Sequence, residues 1–150
     1  MGTTIVAVLG TLAGALVAGF MQHVTAARTA RAEQVERRRQ VLAESVHALL
    51  RALVCHREQQ YLKISARNEG LADTEEARRA RYAARSAVTD AMDSLHMATA
   101  DASLLAVAQD AIDAAMAVGD VPAAEREVAG LRARVAHTAL REAGAALIHA

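Results

Sequence analysis

The chain has no Trp, one Phe and two Tyr, which excludes a core built on aromatic packing. One Pro and eight Gly, four of them before Met21, leave few places where a helix must stop. No segment alternates apolar and polar residues with the Val, Ile and Thr enrichment of a strand, so no sheet is expected. Cys55 is the single cysteine, which rules out an intrachain disulfide framework and suits a reducing cytoplasm. Lysine is almost missing: 16 of the 17 basic residues are Arg, and Lys63 is the exception. Much of the 53% hydrophobic fraction is Ala, the best helix former. Arg and Ala together are the bias of chains encoded by high-GC genomes.

Charge is the most telling absence. From Met1 to Ala27 there is no Lys, Arg, Asp or Glu. The 20 residues from Thr3 to Gln22, as a helix, match the ~30 Å hydrocarbon core of a bilayer. Ile5, Val8, Leu12, Leu16 and Phe20 belong to an apolar set that surrounds the axis, so residues 1–24 are expected to be a transmembrane signal-anchor. A cleaved signal peptide would carry a basic start, whereas Met1-Gly2-Thr3-Thr4 carries none. Myristoylation would want Ser or Thr where Val6 stands. The remaining rival is a buried soluble helix. Gly10 and Gly14, extended by Ala7, Ala18 and Gly19, form a small-residue face through which two spans could pair into a homodimer.

Arg28, Arg31, Arg37, Arg38 and Arg39 follow the span within 12 residues. Basic flanks stay cytoplasmic, which places the N-terminus outside and the rest of the chain in the cytoplasm. The same arginines can meet lipid headgroups, at ~1 kcal/mol each, or pair with a neighbouring helix.

Residues 25–150 suffice for one helical unit, with helices expected over 25–67, 73–118 and 121–148. Asn68-Glu69-Gly70 supplies a turn, Asp73 a cap with Glu76 three residues on, and Gly119-Asp120-Val121-Pro122 a second break. A turn centred near Gly70 sets Leu53 against Val88, Leu49 against Met92, Val46 against Leu95 and Val35 against Leu105. It also sets Arg39 against Asp101 and Arg31 against Asp110. Val35, Leu42 and Leu49 share one heptad position, as do Val88, Leu95 and Ala102. Ala84, Ala91 and Ala98 permit close approach, and Val128, Leu131, Val135 and Leu147 of the third helix complete the core. The expected fold is all-α: a transmembrane helix continuing into an elongated antiparallel three-helix coiled-coil bundle.

Catalytic constellations are missing. There is no glycine-rich phosphate loop, HExxH or CxxC. Cys55 and His56 are neighbours in sequence, so their side chains diverge on a helix and make no nucleophile–base pair. His47 and His96 fall roughly opposite one another but lack further ligands for a metal. No enzyme activity, cofactor or metal is expected. Arg78, Arg79, Arg81 and Arg85 gather with Arg57, Lys63 and Arg67 at the turn end of the hairpin. Such a basic tip could contact nucleic-acid phosphates or an acidic partner. Glu58, Glu69, Asp73, Glu75 and Glu76 offset its charge, so nucleic acid is not the expected partner.

The opening Ile5-Val6-Ala7-Val8-Leu9-Gly10-Thr11-Leu12-Ala13-Gly14, then Gln22-His23 and an Arg-rich helix, resembles small KilB-type membrane proteins of actinomycete conjugative plasmids. The resemblance covers about the first 40 residues. It implies an accessory role in transfer or spread of plasmid DNA, by contact with membrane-bound transfer machinery, and carries no catalytic residue. The leading reading is a single-pass, membrane-anchored helical interaction or scaffold protein. A phage-type or toxin-type membrane perturber and a soluble helical ligand-binding bundle stay open as alternatives.

Overall fold

The computed structural model describes residues 2–149, with side chains described for Ala26 and from Arg28 onward. The regular elements are helical: α1 (Gly2–Asn68), α2 (Glu75–Ala98), α3 (Ala102–Ala117), a 3₁₀ turn (Ala123–Glu125) and α4 (Arg126–His149). Two compact units divide the chain, residues 1–38 and 39–150. The expected span over residues 1–24, with its Gly10–Gly14 pair, lies outside the described side chains. Among the described residues no helix is long and apolar enough to cross a membrane.

The first turn follows its sequence closely. Gly70 adopts φ 70°, a left-handed conformation that a side chain would strain. With it, Leu71 N donates to Ala66 O at 2.9 Å and Gly70 N to Arg67 O at 3.2 Å, the paired bonds that close a helix C-terminus. The cap of α2 is Thr74, whose Oγ1 accepts from Ala77 N at 3.2 Å, and not the expected Asp73. Asp73 is drawn away because Arg81 donates to both of its carboxylate oxygens, at 2.6 and 2.7 Å.

The expected helix over 73–118 is broken into two, at a place with neither Gly nor Pro. Thr99 is extended (φ −146°, ψ 149°), and its Oγ1 accepts from Asp101 N at 3.1 Å. Asp101 then caps α3, its Oδ1 accepting from Leu104 N at 2.8 Å. Short polar side chains here offer the backbone partners that compete with helical bonds. Asp101 is therefore engaged as a cap, in place of the expected pairing with Arg39. Asp110, expected opposite Arg31, is held instead by Arg132 of α4 at 3.1 Å.

Residues 39–150 form four helical passes, up, down, up and down. The core joins Val46, Leu49 and Leu53 of α1 with Val88, Met92 and Leu95 of α2, as the hairpin register predicts. Val35, in the first unit, is 52% exposed, and Ala102 is the exposed first residue of α3. Ala84 and Ala91 are buried, and Ala98 is half-buried. From α3 come Leu104, Ala108, Ala111, Ala114 and Ala115.

The buried stripe of α4 is Gly130, Ala133, Ala136, Leu140 and Gly144. This corrects the expected face: Val128, Leu131 and Val135 are 70%, 56% and 61% exposed, and Leu147 alone of that set packs on the core. The reason is backbone separation. A Cβ on Gly144 would lie 2.7 Å from Val46 Cγ1, and one on Gly130 would lie 2.7 Å from Tyr61 Oη. Val46 faces Gly144 while Tyr61 faces Gly130, so α1 and α4 run antiparallel in contact too close for branched residues.

Full burial of a Leu contributes ~1.5–3 kcal/mol, so the few leucines carry much of this alanine-rich core. Leu49→Ala should lower the unfolding free energy by ~2–5 kcal/mol. Gly144→Val should cost ~1–3 kcal/mol through overpacking against Val46. Urea titration followed by far-ultraviolet circular dichroism measures both, and a wild-type midpoint for Gly144→Val would refute the close α1–α4 contact.

Candidate functional site

Helix α2 begins with Arg78, Arg81 and Arg85 spaced three and four residues apart, which puts them on one stripe. The same spacing on α1 aligns His56, Gln60 and Lys63. The end of α3 brings Met116 and Asp120 to this junction. With Tyr82 and Asp73 these residues line a cleft of about 340 Å³.

Inside the cleft, Arg81 is committed. Its guanidinium is bonded to Asp73, and this hydrogen bond holds the Asp73 carboxyl below its ordinary range. His56 is only 2% exposed. Gln60 Nε2 reaches His56 Nε2 at 3.4 Å, which leaves Nδ1 as the other nitrogen of the ring. That nitrogen is buried with no hydrogen-bond partner. Burial chiefly, then the nearby Arg85, lowers the His56 pKa, with Asp120 opposing. Packing fixes the wall behind it, since a Cβ on Gly119 would collide with the Gln60 side chain.

A second feature lies between α1 and α4. A largely apolar groove of about 560 Å³ is lined by Val54, Arg57, Tyr61, Leu62 and Arg134, among others. Arg57 Nη1 is buried without a hydrogen-bond partner, as is His137 Nδ1. The His137 pKa is lowered by burial first, then by Arg57 and Arg141. The groove itself holds Arg57 and Arg134 with Glu58, and Val128, Leu131 and Val135 stand exposed on the outer face of α4.

Of the predicted basic tip, the fold brings Arg78, Arg81 and Arg85 to one cleft and leaves Arg79 outside it, paired with Glu75. Arg28, Arg31, Arg37, Arg38 and Arg39 are exposed on α1, and Arg37 reaches Glu33 at 3.8 Å. Cys55 is exposed and His56 buried, so the two diverge as neighbours on a helix must. His47 and His96 are both exposed. Among the described residues no group of three or more His, Cys, Asp or Glu could hold a metal ion. Sequence reasoning missed His56, Gln60, Asp120 and the α1–α4 groove. The spacing of 56, 60 and 63 was the available signal, but the partner at Asp120 depends on the break at Thr99.

The family described as KilB plasmid transfer protein matches residues 43–148. The chain belongs to this family. The match covers the four-helix unit and both features above, whereas the resemblance read from sequence rested on the first 40 residues. Protein KilB of Streptomyces lividans is 41% identical over 91 residues. The aligned stretch is 59% of this chain, which thereby spans 59% of the length of that curated relative. No solved structure matches.

Buried His56 and half-buried His137 give this KilB-family chain a pH signature. Both have folded pKa values below the ordinary 6.5, so the unfolded chain binds these protons more readily as pH falls past that value. Stability should therefore drop on acidification from about pH 7.5 to about pH 5.5. Urea midpoints at the two pH values would measure this. The double variant His56→Gln/His137→Gln should flatten the dependence, and an unchanged slope would disprove the assignment.

Proposed function

We propose that this chain is a non-catalytic accessory protein of plasmid transfer that docks a membrane-bound component of the transfer apparatus. Residues 1–24 anchor it, with the N-terminus outside and the four-helix unit in the cytoplasm. Arg28, Arg31, Arg37, Arg38 and Arg39 retain that orientation and lie against anionic headgroups. Membership of the KilB plasmid transfer family supports the process.

The observation that carries the docking role is the α1–α4 face. Val54 and Leu62 are exposed there beside Arg57, Glu58 and Arg134, and Leu131 and Val135 are exposed on the outer face of the same helix α4. An acidic amphipathic helix of the partner supplies carboxylates for the arginines and an apolar face for the exposed side chains. Val128, Leu131 and Val135 repeat at three- and four-residue spacing, the pattern that receives a helix.

Two measurements test the reading. In spheroplasts the full chain should resist carbonate extraction, with its C-terminus protected from added protease. A soluble chain would sink the anchor. Leu131→Glu/Val135→Glu should reduce transfer of a conjugative plasmid lacking its own copy at least about tenfold, the loss of ~1.4 kcal/mol of docking energy, at unchanged protein level. Wild-type transfer would dispose of the face as a docking surface. A changed oligomeric state of the variant in detergent would instead assign the face to a second copy.

A further inference from the structure

The cleft shared by α1, α2 and the end of α3 is not explained by docking at the α1–α4 face, and it has a charge pattern of its own. Among its lining residues Arg81 and Asp73 neutralise each other. That leaves Arg78, Arg85 and Lys63 with no carboxylate at ion-pair distance among the described residues. Asp120 is the one remaining acid in the cleft. Three cations against one anion leave a surplus of about two charges.

We propose that this cleft binds a small phosphomonoester, with Arg78, Arg85 and Lys63 around the phosphate and Tyr82 beside the organic part. A phosphomonoester carries about −1.5 to −2 near neutral pH, which matches that surplus, whereas one carboxylate neutralises half of it. Guanidinium forks suit phosphate oxygens, which accept two parallel N–H bonds. His56, only 2% exposed, closes the back of the cleft and adds no charge of opposite sign there. The ring of Tyr82 is 72% exposed and open to stacking. A volume near 340 Å³ is at the small end of ligand pockets, enough for a compact molecule.

A polynucleotide fits less well. Its phosphodiesters carry one charge each and need a basic track, but Arg79, the next arginine of α2, is taken up by Glu75. The cleft is a pocket for one phosphate.

Adenosine monophosphate is the probe, titrated calorimetrically into the full chain in non-ionic detergent at about 0.1 M salt, where surface charges are partly screened. One saturable site per chain is expected, competed by inorganic phosphate and absent for adenosine. Arg78→Gln and Arg85→Gln should each weaken binding at least about tenfold, as loss of a charge-assisted contact would. Both side chains are exposed, so these variants keep the fold, and Arg79→Gln should bind as wild type. Absence of saturable binding, or wild-type affinity in both arginine variants, would overturn the proposal. Tighter binding of single-stranded DNA than of the monophosphate, through the same arginines, would overturn it in favour of a nucleic-acid surface. None of these outcomes depends on the docking role of the α1–α4 face.

Discussion

Close approach of helix backbones is the constraint on which the four-helix unit depends. Gly144 admits Val46, Gly130 admits the Tyr61 hydroxyl and Gly119 admits Gln60. The facing side chains of α3 are mostly alanines. Such seams gain dispersion contacts through proximity rather than through large side chains, which compensates for a chain with almost no aromatic residues. They also tie stability to a few leucines and make the glycines intolerant of added bulk.

The same constraint creates the functional surfaces. Once the small residues of α4 turn inward, its valines and leucine turn outward and remain uncovered within the described chain. Bringing α4 against α1 also sets Arg57 and Arg134 beside Glu58 in one groove, and burial lowers the His137 pKa. At the other junction the acid–base balance is uneven in a different way. One Asp–Arg pair closes on itself, and three further cations share Asp120. The phosphate proposal rests on this surplus of exposed positive charge, and the docking proposal on exposed apolar side chains.

The KilB resemblance was read from about the first 40 residues, whereas the match that shows the family lies in residues 43–148. The helical class was legible throughout, because Ala and Arg dominate and breakers are scarce. The α1–α2 register was legible as well, since Gly70 fixes the turn and heptad spacing fixes the faces. The split at Thr99 was harder to read. Thr and Asp cap helices often but also sit within them, and the choice depends on whether the following turn finds a core to pack against.

Local chemistry therefore determined the helices, the first hairpin and the sign of each segment's charge, because these follow from propensities and periodicities within a few turns. Tertiary structure alone decided which face of α4 is buried, which arginine stands outside the cleft and where Asp120 falls. Those outcomes depend on how near two backbones can come, and a sequence states that distance only when both partners of the contact are known.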